Sequence, residues 1–418
     1  MAVRKKNKVE LLAPAGSFDA MQAAINAGAN AIYFGVEQLN MRAKSTQSFT
    51  VDDIAEVVKR CHSNNVKAYL TLNTIMYEHD LQLLKGILKE VKKQKLDAVI
   101  AADFAVIEQC NAMGIPLQIS TQANISNISA VQFFSKFSDV VVLARELTLQ
   151  QIEQICKEIK RKKIKGISGE LLQVEVFVHG ALCMAVSGKC YMSLHTQNAS
   201  ANRGACTQNC RRPYLVTDTE TGAELMIDNE YIMSPKDLCT IGMLDQIINS
   251  GVAVLKIEGR TKGADYVDVV TRCYRAAIDA VADGSFNQEK VKEWEAKMST
   301  VYNRGFWEGY YLGRKLGEWT PQPGSAATEK KIYVGKATKF YPRIGVAEYL
   351  IEAGSIQEGD ELMISGPECG MVRTQLNPLM VNGEQATQAL RGDKITFPFA
   401  SKLTTRDKLY KIVSADNA

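Results

Sequence analysis

Val174-Glu-Val-Phe-Val-His-Gly-Ala-Leu-Cys183 reads as a β-strand that runs straight into a loop of thiols. Val174, Val176 and Val178 alternate with Glu175, Phe177 and His179, the two-residue period of a strand. Gly180 ends it. Upstream, short apolar runs mark strands at Val9–Ala13, Ala31–Val36, Val66–Asn73, Ala98–Ala102, Leu117–Thr121 and Val140–Ala144. Helical patterns separate them: Ser17 to Gly28, a segment capped by Thr50, Asp80–Lys93, Phe104–Met113, Ile128–Phe137 and Leu149–Lys160. Downstream, Val252–Ile257 makes an eighth strand, and a long helix runs from about Gly263 to Ala282. Strands that alternate with helices imply βαβ units and a parallel sheet. Eight such units in about 280 residues match a TIM-type (β/α)8 barrel. A doubly wound sheet is the runner-up, but Ala13-Pro14-Ala15-Gly16 is not the glycine fingerprint expected after its first strand.

With 418 residues, 46% hydrophobic and 23% charged, the chain is an ordinary globular one with room for two domains. The barrel is expected over 1–285, with the cysteine loop at 174–239. Residues 286–330 carry a helix, an aromatic stretch and a linker at Thr320–Ser325. Residues 331–418 change to short strands with Gly and Pro turns, the pattern of a small all-β barrel. No eighteen-residue apolar run exists, so no membrane span is expected. The basic start, Met1–Glu10, has no apolar segment of a secretory signal. Ten cysteines without such a signal argue for a reducing, cytoplasmic setting. A formal charge of +4 is too small to indicate a polyanionic partner by itself.

The cysteines carry the first chemical signal. Cys183, Cys190, Cys206 and Cys210 follow one strand, with Gly188 and Gly204 to turn the backbone. Thiolates suit zinc and iron–sulfur clusters. Cys206 and Cys210 have the tight spacing of zinc ligands and Cys183 and Cys190 do not, so a cluster fits better. A disulfide pair or plain core thiols are the bland alternative. Cys239 is a fifth candidate. Cys61, Cys110, Cys156, Cys273 and Cys369 read as ordinary thiols.

The barrel supplies the second signal, because active residues sit at the carboxyl ends of its strands. The polar residues there are Asn73, Gln122, Asn124, Arg145, Glu175, His179, Lys256, Glu258 and Arg260. Lys256 and Glu258 share a strand face, as do Glu175 and His179. Buried charge is costly unless paired, so such a ring indicates a ligand pocket, with structural ion pairs as the alternative. His179 and Cys183 are four residues apart and form a candidate thiol–imidazole pair. The basic stretches Lys157–Lys165 and Arg211-Arg212 are candidate phosphate contacts. No zinc-protease motif and no nucleophile elbow is present.

Glu175 to Cys183, with Gly188-Lys-Cys-Tyr-Met-Ser193, resembles the signature of the collagenase-like peptidase family, the unclassified peptidase family numbered thirty-two. Glu10–Gly16, Ser120–Asn124, Ala144–Leu147, Ser234–Leu238 and Lys256–Arg260 support the resemblance over most of the chain. It implies divided functions. The family name comes from collagenase-like proteolysis. Better understood bacterial members modify RNA or quinone precursors without oxygen gas, on a four-iron–four-sulfur cluster held by four cysteines. Members similar to this chain make 5-hydroxyuridine at the wobble position of transfer RNA with prephenate; others act on ribosomal RNA. The resemblance places the cluster on Cys183, Cys190, Cys206 and Cys210, with Cys239 as alternate fourth ligand. The expected function is therefore RNA hydroxylation. Arg145, Lys256 and Arg260 would bind a dicarboxylate co-substrate, with Asn73, Gln122 and Asn124 lining the substrate site. Glu175, His179 and Glu258 would orient groups or exchange protons. A Cys/His peptidase and a non-catalytic RNA-binding module are the rivals.

Overall fold

The computed structural model describes residues 9–37, 39–42, 49–212, 214–227, 234–313, 317–320 and 324–417. The start at Met1–Lys8, residues 321–323 of the linker and part of the insertion before Ser234 lie outside the described residues.

Apolar strands flanked by amphipathic helices close into a TIM-type barrel, because each strand buries one face inside the barrel and the other beneath a helix. The strands are β1 (Glu10–Pro14), β2 (Ala31–Phe34), β3 (Lys67–Leu72), β4 (Ala98–Ala101), β5 (Leu117–Ile119), β6 (Val140–Val142), β7 (Gln173–Gly180) and β8 (Val254–Ile257). Neighbours pair in parallel in that order, and β8 closes the ring against β1 and β7. Leu12, Tyr33, Tyr69, Ile100, Val140 and Val254 pack inside the ring. The larger core lies between the strands and helices α1 (Phe18–Asn26), α2 (Ile54–Ser63), α3 (Leu81–Gln94), α4 (Phe104–Met113), α5 (Ile128–Phe134) and α6 (Leu149–Lys162). Side-chain caps start several of these helices. Ser17 accepts from the Ala20 amide, Asp103 from Ala105, and Thr148 from Gln151.

Strand β7 is the longest of the ring. Its end projects past the barrel and carries an extension. The strand Asp237–Cys239 pairs antiparallel with Gly180 and His179, and Phe306–Trp307 pairs with it in turn. The strand ends at Cys239, and a 3-10 turn and the short helix α7 (Leu244–Asn249) follow it. The long helix α8 (Ala264–Asp283) completes the barrel wall, and α9 (Gln288–Ser299) packs on it. The aromatic stretch beyond α9 reaches further in than the barrel exterior: Tyr311 donates to the Phe177 carbonyl at 2.5 Å.

The C-terminal strands form an eight-stranded antiparallel sheet and a two-stranded ribbon around a separate core. The long strand Glu329–Tyr341 serves two partners, with register shifts that bend it. This unit sits on α1 and α8 through Ala23, Ala264, Met363 and Met371. Gly370 is required at that contact: a Cβ there would lie 2.6 Å from the Ala23 amide nitrogen. Arg60 pairs with Glu368 at 2.9 Å and Lys331 with Asp265 at 2.6 Å across the same boundary.

Candidate active site

The carboxyl ends of the strands converge on a charged pocket. Asn73, Gln122, Arg145, Lys256, Glu258 and Arg260, all singled out from sequence, line it. So do Tyr33, Arg42, Thr71, Ser120 and Thr121, which sequence reasoning missed. Inward alternation along β2 would have found Tyr33. Arg42 lies in the connection from β2 to α2, which is long for a barrel loop, and that length was the available signal.

Each charge in the pocket is held by an identifiable partner. Lys256 Nζ binds Glu175 Oε1 at 2.7 Å, with both side chains almost completely buried. Burial pushes the Glu175 carboxyl up and the Lys256 ammonium down, while each charge opposes the shift of the other. The ammonium also lies 4.6 Å from the centre of the Tyr33 ring. Arg42 Nη2 donates to Glu258 Oε1 at 3.0 Å. Burial raises the Glu258 pKa, but Arg42 and then Arg145 outweigh it and keep the carboxylate ionised. Arg260 donates to Thr71 Oγ1 at 2.6 Å and Asn40 Oδ1 at 3.0 Å. Arg145 stacks 3.8 Å over Phe177 and donates to the Ala181 carbonyl at 2.9 Å, while its buried Nε has no partner among the described residues. Lys256–Glu175 and Arg42–Glu258 cancel internally. Arg145 and Arg260 are thus positive charges with uncharged hydrogen-bond partners. That arrangement suits a small molecule with two negative groups.

Three expected participants stand elsewhere. Glu175 lies beneath the pocket, as the partner of Lys256, and does not line it. Asn124 turns its amide back onto the Gln122 carbonyl at 3.0 Å and stays off the pocket wall. His179 is displaced for a reason local to the strand. Phe177 is opposite Lys256, but His179 is opposite Ile257, so β7 gains one residue on β8. A one-residue bulge reverses facing. His179 therefore departs from the face of Glu175 and packs among Tyr266, Tyr274 and Phe306, 2% exposed, with Nδ1 3.4 Å from the Tyr274 hydroxyl. Among the described residues no hydrogen bond joins it to Cys183.

Burial lowers the His179 pKa from 6.5 to about 3. The folded protein then holds this imidazole neutral, whereas the unfolded chain protonates it below 6.5. Stability is complete above that value and falls as pH drops through it. One proton is worth about 1.4 kcal/mol per pH unit, so about 2 kcal/mol should be lost between about pH 6.5 and about pH 5. Urea unfolding of wild type and His179→Phe at the two pH values checks this. The difference between their slopes should carry the effect, and parallel slopes would refute it.

The cysteine loop forms a second cavity beside the first. Cys183, Cys190, Cys206 and Cys210 all line it. Cys183, Arg42 and Gly188 belong to both cavities. Left-handed backbone at Gly188, Asn198, Gly204 and Gln208 folds the loop over the barrel mouth. A Cβ on Gly188 would lie 1.8 Å from Gln122 Oε1, so glycine lets the loop close onto the pocket. Arg211 staples the loop: it donates to Ser234 Oγ at 2.8 Å, the Pro235 carbonyl at 2.7 Å and the Leu182 carbonyl at 2.6 Å. That role replaces the phosphate contact expected of it. Burial raises the Cys210 pKa; Arg211 opposes this, and the other three thiols add to it. Among the described residues no three Cys, His, Asp or Glu side chains converge as they would on a single metal ion. A cluster spreads its ligands over four irons, so four thiols around one cavity suit it better than one ion. Cys239 is outside this cavity. It is buried beside Tyr274, and burial pushes its thiol up to about 12. The basic run Lys157–Lys165 lies on the opposite face, with Lys160 beside Gly251 and Gln173 at the amino ends of the strands.

Among the described residues no helix is long and apolar enough to cross a membrane. The family model for peptidase family U32 matches residues 16–321. The chain is 47% identical over 405 residues to a protein of Porphyromonas gingivalis named collagenase, with 97% of this chain and 98% of the relative covered. It is 31% identical over 368 residues to the tRNA hydroxylation protein P1 of Bacillus subtilis, covering 86% and 84%. It is 34% identical over 278 residues to the 23S rRNA 5-hydroxycytidine C2501 synthase of Escherichia coli, covering 66% and 40%.

Proposed function

The chain belongs to peptidase family U32, and from that premise we propose that it is an RNA-modifying enzyme that hydroxylates uridine of transfer RNA at C5. The single observation that carries the reading is the contact between two cavities: four thiols around one, two unmatched arginines in the other, and Cys183 in the wall of both. The relatives named for tRNA and rRNA hydroxylation support RNA as the substrate class.

In this reading Cys183, Cys190, Cys206 and Cys210 hold a four-iron–four-sulfur cluster, which supplies one-electron redox chemistry when bound. Arg42 and Arg211 stand near the thiols and offset the negative charge of such a group. Arg145 and Arg260 clamp the two carboxylates of a prephenate-like donor. Lys256, anchored by Glu175, is the pocket group placed to exchange a proton with that molecule. Glu258 is kept ionised by Arg42 and orients it.

A peptidase reading is favoured by the 47% identical relative named collagenase. It needs an activated nucleophile. His179 is walled in by aromatic rings and supplies no base to Cys183. Purified protein is expected to leave gelatin intact, whereas deletion of the gene is expected to remove 5-hydroxyuridine or its derivatives from total RNA, read by nucleoside mass spectrometry. Wild type should restore the nucleoside and Cys183→Ala should not. An unchanged nucleoside profile in a host without a second copy would overturn the RNA reading. Gelatin cleavage abolished by Cys183→Ala would establish the peptidase.

A further inference from the structure

Among the described residues, three aromatic side chains are more than half exposed: Tyr77 at 52%, Phe104 at 68% and Tyr191 at 77%. All three stand on the mouth side of the barrel: Tyr77 on the connection after β3, Phe104 at the first residue of α4, and Tyr191 on the loop after β7. An exposed ring gains nothing from burial, and three on one rim mark a contact surface.

The rim is held in place. The Met76 amide donates to Asp103 Oδ2 at 3.0 Å, which ties the Tyr77 loop to the start of α4 at Phe104. The Ile75 amide donates to the Asn202 carbonyl at 3.1 Å, and Arg203 returns a bond to the Ile75 carbonyl at 2.8 Å. Arg203 also pairs with Asp80 and stacks 4.2 Å over the Tyr77 ring. The loop of Tyr77 is thereby fastened to the cysteine loop, which carries Tyr191. Tyr191 follows Cys190 directly and lines the thiol cavity.

We propose that Tyr77, Phe104 and Tyr191 form a stacking platform for the unpaired bases of an RNA loop. The proposal rests on the RNA reading above and names the part of the RNA that is recognised. Base faces stack on aromatic rings whatever their sequence. An enzyme that acts on a base carbon must take that base out of a stack, and the platform supplies a replacement. Lys189 and Arg212 are exposed on the same loop, so positive charge flanks the rings where a phosphate backbone would pass. A base laid on Tyr191 lies beside the thiol cavity, which that ring lines. A helical duplex, whose bases are already stacked, gains nothing from these rings.

Fluorescence anisotropy with the full chain at fixed salt tests this, using two probes: an RNA hairpin with an unpaired loop and a blunt duplex of the same composition. Wild type should prefer the hairpin. Tyr77→Ala, Phe104→Ala and Tyr191→Ala should each weaken hairpin binding about tenfold and leave duplex binding and the salt slope unchanged. Tyr191→Phe should restore affinity, and Ile167→Ala, at the far end of the barrel, should match wild type. Unchanged hairpin affinity in the three alanine variants would overturn the platform while leaving RNA binding intact. Failure of wild type to bind either probe would overturn both. Alanine variants that lose binding of a gelatin peptide, but not of the hairpin, would assign the platform to a polypeptide and overturn the proposal.

Discussion

Protein prepared without oxygen is expected to be brown, with iron and sulfide in roughly cluster stoichiometry, and Cys183→Ala, Cys190→Ala and Cys206→Ala are each expected to bleach it. Cys210→Ala should do the same, because Cys210 lines the same cavity. Cys239→Ala should keep its colour, because that thiol packs against Tyr274 in the core. An iron–sulfur cluster is held by cysteine thiolates, so the loss of one ligand from the four-thiol cavity should release it. The outcome therefore separates two interpretations of the loop. Bound iron that disappears with any one of the four cysteines supports a cluster. A colourless wild type that binds zinc instead, or that binds nothing and keeps its activity, refutes it.

Lys256→Met is expected to destabilise the fold by about 3–5 kcal/mol, because it leaves Glu175 buried without its partner. Total stability is about 5–15 kcal/mol for a typical domain, so the loss should be a large fraction of it. Glu175 Oε2 already has no hydrogen bond among the described residues, so nothing else nearby compensates. Glu175→Leu combined with Lys256→Met should recover most of the loss, since apolar side chains of similar volume replace a buried ion pair well. Urea unfolding measures all three variants. The double variant also tests function. If Lys256 only holds the barrel together, the refolded double variant modifies RNA normally. If it serves the bound anion, the double variant folds and fails to turn over. A Lys256→Met protein as stable as wild type would show that the pair carries no structural weight.

How much of this was legible beforehand depends on whether a feature is local. The eight strands were legible because each is a short apolar run between helical periods, and burial on both faces demands such runs. Arg145, Lys256 and Arg260 were legible because a barrel strand delivers its next residues to the mouth. The four cysteines were legible because one loop carries them. His179 was misplaced because the two-residue period holds only while register holds. The extra residue in β7 opposite Lys256 and Ile257 leaves no mark in either strand alone. Arg211 looked like a phosphate contact because its carbonyl partners come from Leu182 and Pro235, brought together only by folding.

The sequence by itself determined the barrel, the appended β unit, the thiol set and most of the charged residues at the mouth. Their cause is periodicity and composition, which act over a few neighbouring residues. Only the tertiary structure decided which charges pair with one another. Glu175 pairs with Lys256 and Glu258 with Arg42, whereas Arg145 and Arg260 hydrogen-bond to uncharged groups, and that pairing depends on side chains from β7, the end of β8 and the loop after β2 meeting within 3.0 Å. It also decided that Cys239 lies apart from the other thiols and that Tyr77, Phe104 and Tyr191 share one rim. The physical reason is the same in each case: closure of the barrel brings residues far apart in the chain into contact, and a contact of that kind has no signature in the order of residues.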